Sequence, residues 1–575
     1  MVCGAVAQLG ERLVRNEEAS GSIPLSSTIL FRGLSGRGLR FWRFSAHPGC
    51  LAWPTLAVYL SSSQPILHIL RLPTGRGNVR VRSAQSCSRC PLSLTAAPAV
   101  PSDPVLRPLC VDLDGTLVKS DTLIDSLLLL ARSKPALMLK LPGRVLKGKA
   151  AFKAFVTDSV TLDVAHLPYN RPLVDYLRHE RGLGRPIYLA TGADQRLAQR
   201  VANHLNLFTG VLGSDGTTNM IGARKLDRLR AQLGAESFDY IGNDTPDLPL
   251  LAASPEPMVA NPSFRLQVAM RLRKMRPART FIERRSLLAA LLKAMRPHQW
   301  AKNILIFVPL LLSHAITPAK VLTALAAFFC FSLTASSAYI VNDLLDIDAD
   351  RRHPRKRLRP FAAGDLGAFA GAVLTALFLL AAFIGARLIT TSFFLWLSVY
   401  LASTLAYSFW LKRIALVDVM MLAELYILRL VTGGAATHTV LSHWLSGFSL
   451  FLFLSLGIVK RFAELENLRA SGATPKNGRG YLIADQEQLR SFGTSSAYAA
   501  VVVFAIYISG YDVTRLYHKP HLLWLVVPLM LLWLNRVWLL ASRGELDEDP
   551  VAFALTDRMS LLIGAAVAVI ALLAL

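Results

Sequence analysis

At 575 residues the chain is long enough for more than one domain, and 53% hydrophobic content with a mean hydropathy of +0.40 argues against an ordinary soluble protein. The formal net charge of +25 does not call for nucleic acid, because much of the basic excess flanks apolar spans, where it sets membrane orientation. Six cysteines, Cys3, Cys50, Cys87, Cys90, Cys110 and Cys330, form no disulfide framework, and the Cys87/Cys90 pair lacks the second pair that a zinc site needs.

Residues 1–100 contain no Lys and no Asp, and their only acids are Glu11, Glu17 and Glu18. Arg, Ser, Gly and Pro are scattered there without period. Such a leader fits an organelle transit peptide. The stretch from Ala5 to Ser27 instead resembles the conceptual translation of a transfer-RNA gene, the mark of a start codon placed too far upstream. The segment is expected to be disordered and dispensable.

Residues 101–262 change to short apolar runs separated by polar helical stretches, an α/β signature. Strands are predicted at 109–113, 186–190 and 238–241. They lead into Asp112-Leu-Asp114-Gly115-Thr116, Thr191-Gly192 and Gly242-Asn243-Asp244-Thr-Pro-Asp247. Loops at the carboxyl ends of parallel strands converge on one crevice. With Lys225 before the third strand, this order resembles the haloacid dehalogenase superfamily, whose domain is a Rossmann-like α/β sheet. The resemblance implies a phosphatase in which Asp112 is the nucleophile and Asp114 the general acid and base. Thr191 would hold a phosphoryl oxygen, Lys225 would offset the aspartyl phosphate, and Asp247 would join Asp112 and Asp114 in holding Mg²⁺. The family usually has Asp where Asn243 stands, so Asn243 and Asp244 are further metal candidates. A helical insertion between Leu117 and Gly184 is expected to cap the crevice, or to meet the membrane surface with its basic residues.

Residues 263–298 read as a basic amphipathic connector. Residues 299–575 hold about nine apolar segments, most of them near the 20 residues a bilayer requires, so an all-α polytopic bundle follows. Arg and Lys concentrate in alternate connections. The positive-inside rule then places the α/β domain and the even-numbered loops in the cytoplasm, in a multi-pass protein of a bacterial inner membrane.

Where the second segment ends, Asn342, Asp343, Asp346 and Asp350 follow one another at helical spacing, just before a basic string that includes Lys356 and Arg359. Positions i, i+3 and i+7 share a helix face, so the three Asp would form one column of carboxylates, which repels itself unless a cation sits in it. Mg²⁺ shared with a substrate diphosphate suits such oxygens. Asn342-Asp343-x-x-Asp346-x-x-x-Asp350 with Pro354-x-Lys356-x-x-Arg359-Pro360-x-x-x-Gly364 resembles the first aspartate-rich motif of the UbiA superfamily of intramembrane prenyltransferases. The approach from Met295 to Asn303, with Lys302, is similar to that family's entry helix. The place of a second aspartate-rich loop holds Lys460-Arg461-Phe-Ala-Glu464-Leu-Glu466. Lys460 and Glu464 are i, i+4 neighbours that could simply pair, whereas Lys460 and Arg461 could meet phosphate directly.

That substitution resembles the branch that transfers phosphoribose to polyprenyl phosphate. The resemblance implies a polyprenyl lipid, a diphosphate donor and Mg²⁺. Asp343, Asp346 and Asp350 would hold the metal. Asn342, Lys356, Arg359, Lys460 and Arg461 would contact phosphate, with Lys302 and Glu464 as further candidates. The competing readings are an aromatic prenyltransferase of quinone synthesis and an ion-coupled transporter, in which intramembrane acids carry ions.

Overall fold

The computed structural model describes residues 30–34, 39–43 and 106–575, apart from 216–217, 235–236, 471–478, 511–512, 514–515 and 547–549. Near the amino terminus, strands Leu30–Leu34 and Leu39–Arg43 pair antiparallel. The rest of the leader, with Cys87 and Cys90, lies outside the described residues. Residues from Pro101 onward form one compact unit that contains both the α/β and the membrane portions.

The α/β portion is built on six strands: β1 (Leu109–Val111), β2 (Ile187–Asp194), β3 (Gly210–Ser214), β4 (Asp239–Gly242), β5 (Met258–Ala260) and β6 (Arg279–Phe281). All pair parallel, in the order β3-β2-β1-β4-β5-β6. A parallel sheet is covered on both faces, so its central strands are apolar throughout. Leu109, Cys110 and Val111 are accordingly fully buried. The sixth strand corrects the boundary at 262, because Met258–Ala260 pairs with a strand inside the expected connector. The insertion is helical as expected. It includes α1 (Thr122–Ser133), whose first turn is capped by the Asp121 carboxylate accepting from Leu123 and Ile124 N–H, and α2 (Lys149–Ser159). Helix α3 (Ala223–Leu233) carries Lys225.

Helix α4 (Leu287–Met295) leads to the membrane portion. Seven helices among the described residues are long and apolar enough to cross a bilayer. In chain order they include α5 (Pro318–Leu345), then, after the short α6 (Ile347–Arg352), α7 (Ala368–Ile389), α8 (Thr391–Phe409), α9 (Val417–Thr437) and α10 (His443–Ala470). Two more end at Ile508 and Ser542. Among the described residues the expected count of about nine is not reached. The first segment begins at Pro297, runs as a 3₁₀ helix to Phe307 and gives only one short α-helix, Val308–Leu312. The last apolar helix, Arg558–Ala574, has 17 residues.

Helices in lipid pack through small residues, since no hydrophobic force distinguishes a neighbour from a lipid tail. A side chain on Gly433 of α9 would stand 2.1 Å from the Ile306 carbonyl oxygen, so only glycine lets α9 touch the 3₁₀ segment's backbone.

Candidate active sites

Two clusters of charged side chains lie at the end of the bundle that carries the α/β portion. The first is at the carboxyl ends of β1 and β4, where the strand order reverses and a doubly wound sheet opens a crevice. Asp112 follows β1 directly, and its Oδ1 accepts from Lys225 Nζ at 2.7 Å. Lys225 also donates to the Tyr240 hydroxyl at 2.6 Å, which in turn donates to Asp247 Oδ1 at 2.8 Å. Against burial, the Asp112 and Asp247 carboxylates hold the Lys225 ammonium above its ordinary range. Burial raises the Asp112 carboxyl to about 6 in spite of Lys225. Burial, joined by the charges of Asp121 and Asp112, raises Asp114 to about 8.

Most of the predicted residues converge, with differences in role, and Thr191 is not among those lining the cavity. Asp112, Asp114, Lys225, Asn243, Asp244 and Asp247 all line one cavity of about 420 Å³. Asn243 seats its amide over Gly115, where an added Cβ would meet Nδ2 at 2.0 Å. Gly115 itself has φ +75°, so this turn accepts little else. Asp247 serves its own loop, with Oδ2 accepting from the backbone N–H of Asn243 at 3.1 Å and of Asp244 at 3.4 Å. Asp244 is drawn outward, its Oδ1 accepting from the Ser263 hydroxyl at 2.7 Å. Thr191 is buried, and its hydroxyl accepts from the Ala193 N–H at 3.0 Å. Asp112 Oδ2 has only a 3.5 Å contact from the Thr116 hydroxyl, at the limit of a hydrogen bond. That oxygen and the amide oxygen of Asn243 fit a hard cation such as Mg²⁺, while the raised Asp114 is suited to proton transfer.

Lys153 on α2 is a cavity residue that the sequence did not single out. It donates to the Gly192 carbonyl at 2.5 Å and to Asn219 Oδ1 at 2.9 Å. Burial lowers its pKa while the charges of Asp114 and Asp121 act in the other direction. Its only sequence signal was membership in the insertion's run of basic residues.

The second cluster forms where α5 ends. The helix breaks at Asp346, which caps α5 and opens α6, so the three aspartates do not form the expected straight column. Arg359 gathers two of them, donating to Asp343 Oδ1 at 3.1 Å and Asp350 Oδ2 at 2.6 Å. Arg296 reaches the same Asp343 oxygen at 2.5 Å. Asp346 faces another way, paired with Arg132 of α1 and with Lys412 at 3.7 Å. Among the described residues no three acidic, His or Cys side chains meet as a ready metal cage. Yet Asp343 Oδ2 is buried without a hydrogen-bond partner, which is costly for a carboxylate oxygen. That orphan oxygen, with the Asp350 carboxylate gathered beside it by Arg359, fits a hard cation such as Mg²⁺.

Cations crowd the other side of this cluster. Burial, with the charges of Arg132, Arg413 and Lys356, lowers Lys412 to about 8. An entering anion would relieve that repulsion. Asn342 Oδ1 accepts weakly from Lys412 at 3.4 Å. Lys302 is half-buried on the 3₁₀ segment.

Arg461 departs from its expected role. It is buried and fully engaged, donating to both Asp418 oxygens, to Glu464 Oε2 at 2.6 Å and to the Tyr407 hydroxyl at 3.2 Å. Its donors bind α8, α9 and α10 together and leave little for phosphate. Glu464 is likewise claimed by Arg461, not held for Lys460 alone. Lys460 is half-buried beside them.

Sequence reasoning missed Arg132 and Arg296 as site residues. Arg132 is 213 residues from the Leu345 carbonyl to which it donates at 3.2 Å, a separation that no local pattern encodes. Arg296 precedes Pro297 and has φ +51°, an uncommon backbone for arginine that aims it back at α5.

Residues 304–564 match the UbiA prenyltransferase family. The chain is 38% identical over 465 residues to uncharacterized protein y4nM of Sinorhizobium fredii, covering 80% of this chain and 90% of that one. An alignment of that length runs beyond the membrane portion into the α/β portion. The chain is 31% identical over 269 residues to nodulation protein NoeC of Azorhizobium caulinodans, covering 47% of this chain and 88% of that one. Identity is 36% over 228 residues to a decaprenyl-phosphate phosphoribosyltransferase of Mycobacterium tuberculosis, covering 39% of this chain and 74% of that one.

Proposed function

Because this chain belongs to the UbiA prenyltransferase family, a family of multi-pass membrane enzymes, we propose that its membrane portion transfers phosphoribose from phosphoribosyl diphosphate to a polyprenyl phosphate. We propose further that its α/β portion is a haloacid dehalogenase-like phosphatase, and that both sites lie on the cytoplasmic side. The ion-coupled transporter finds no support in that membership.

The observation that carries the first reading is the orphan oxygen of Asp343, set among Arg296, Arg359 and Asp350 in a cluster whose other side is crowded with cations. Asp343 and Asp350 would hold Mg²⁺ there, with Asp346 kept apart from them by Arg132 and Lys412. Asp112 and Asn243, with Asp247 behind them, would hold it in the α/β site, and Asp114 is left for proton transfer. When bound, the metal supplies charge neutralisation, of a departing diphosphate in one site and of phosphoryl oxygens in the other.

In the transferase, the bond from the ribose anomeric carbon to the diphosphate breaks, and an oxygen of the lipid phosphate bonds to that carbon. Arg359, Lys356 and Lys412 meet the growing negative charge of the leaving group, with Arg132 beside them. Asn342 orients Lys412. In the phosphatase, the Asp112 carboxylate attacks phosphorus while Asp114, raised to about 8 and so protonated at neutral pH, gives its proton to the leaving alkoxide. Lys225 holds the attacking carboxylate in place. Asp114 then takes a proton from water, whose oxygen bonds to phosphorus as the phosphorus–oxygen bond to Asp112 breaks, releasing inorganic phosphate and the free carboxylate.

The test uses the full chain in lipid with Mg²⁺, polyprenyl phosphate and phosphoribosyl diphosphate, set beside prenyl diphosphate with 4-hydroxybenzoate. Phosphoribosyl lipid as the product is expected. A prenylated benzoate instead would replace this reading with the aromatic prenyltransferase.

A further inference from the structure

The cavity of the α/β portion is not closed by that portion alone. Ile347, Phe361, Leu366 and Phe369 from the membrane portion line it together with Asp112 and Asp114. Phe369 lies in the first turn of α7, a membrane-crossing helix, and is 75% exposed. Ile347, Phe361 and Leu366 are buried behind it, so the apolar wall that the cavity offers beside its acidic residues is chiefly Phe369, at the start of a membrane helix.

The two portions are bolted together at this wall. Arg351 is buried and donates to Asp125 Oδ2 at 2.8 Å, to the Ser120 hydroxyl at 2.9 Å and to the Ala362 carbonyl at 3.2 Å. Gly364 (φ +72°) lies so close to Lys119 that an added Cβ would stand 2.7 Å from the lysine's Cβ. The wall is thus a fixed part of the cavity.

The adjoining cluster is one residue away. Asp346 belongs to the transferase site and Ile347 to the phosphatase cavity, and neighbouring Cα atoms are about 3.8 Å apart.

We infer that the α/β site acts on a lipid-linked phosphate monoester, the phosphorylated sugar that the neighbouring transferase leaves on its polyprenyl carrier. This rests on the two activities proposed above. Phosphoribosyl transfer breaks the bond at the anomeric carbon only, so the donor's other phosphate, a monoester on the sugar's primary oxygen, stays on the lipid product. Hydrolysis consumes water, breaks the phosphorus–oxygen bond and yields inorganic phosphate and a lipid-linked ribose with a free hydroxyl. The apolar wall recognises the carrier's first isoprene units while the acidic wall takes the phosphate.

The experiment follows phosphate release by the full chain in nanodiscs from three substrates: farnesyl-phosphoryl-ribose 5-phosphate, ribose 5-phosphate and p-nitrophenyl phosphate. kcat/KM for the farnesyl substrate is expected to exceed that for ribose 5-phosphate by about 100-fold, the worth of burying one or two isoprene units. Phe369→Ser should cut that ratio about tenfold. Equal use of the farnesyl substrate and ribose 5-phosphate, or a ratio unmoved by Phe369→Ser, would overturn the inference and leave the phosphatase standing. Release from none of the three, or undiminished release by Asp112→Asn, would overturn the phosphatase reading itself and the inference with it.

Discussion

The two sites use the same materials, carboxylates held by cations, yet assemble them by opposite means. In the α/β site each side chain sits at the end of a strand or on the helix beside it, and the sheet brings them together. In the site at the membrane face, one broken helix supplies the acids, while the cations come from α1, the 3₁₀ approach, the turn after α8 and, as Arg359, the loop after α6. A sheet fixes its loops by backbone pairing. A helix end in a membrane protein depends on partners from elsewhere. The comparison teaches that the charged cluster at the membrane face is completed by the α/β portion, whereas the cluster at the strand ends is complete within its own sheet and borrows only its wall.

The sharpest way to break that distinction is to disable each site in turn. Asp343→Asn keeps the shape of the side chain but removes the charge that Arg296 and Arg359 hold, and phosphoribosyl transfer should fall by about 10³-fold or more. Phosphate release should be retained in that variant when the farnesyl substrate is supplied ready-made. Asp112→Asn should give the reverse pattern, with release lost by about 10³-fold and transfer intact. Loss of both activities in either variant would mean one shared site.

Next in size is the bolt between the portions. Arg351 and Asp125 are 3% and 2% exposed as side chains, so Arg351→Ala strands a buried carboxylate and should cost about 3–5 kcal/mol. Loss of α/β structure on urea titration would report it. Removing both partners, Arg351→Ala with Asp125→Ala, should recover much of the loss, because it was the uncompensated charge that was costly.

Arg132→Ala tests the borrowed cation directly. Arg132 is partly exposed, so its worth is that of a screened pair, and transfer should weaken about tenfold, mainly as a higher KM for phosphoribosyl diphosphate. An unchanged KM would mean that α1 contributes nothing to donor binding and that the transferase stands alone.

How much of this was legible follows from the same contrast. Asp112, Asp114, Lys225 and the loop from Asn243 to Asp247 were readable because strand ends announce themselves as apolar runs that stop at polar turns. The aspartates of α5 were readable for a different reason, since charges at the end of an apolar helix are conspicuous. What escaped was pairing across long separations. Arg461 looked like a free phosphate contact because nothing near it in sequence shows that Asp418 and Tyr407 have claimed it. The straight carboxylate column failed because helical spacing does not reveal where a helix breaks, and α5 breaks at Asp346 itself. The sixth strand was hidden by its own residues: Arg279–Phe281 is short, largely exposed and basic, as an edge strand can be.

The smallest predicted effect is the most specific to the shared wall. Gly364 combines a left-handed backbone, φ +72°, with a close approach to Lys119 on the α/β side. Gly364→Ala therefore incurs about 1–2 kcal/mol of backbone strain and must also move the two surfaces a few tenths of an ångström apart. Neither catalytic cluster includes this residue, so what changes is the fit of the apolar wall over the cavity. Turnover of p-nitrophenyl phosphate, which has no lipid to place, should stay within about twofold, while the farnesyl substrate should lose several-fold in kcat/KM, each such loss being under about 1.4 kcal/mol. Equal losses on both substrates would locate the damage in the sheet and its acids, and would remove the wall from any part in choosing the substrate.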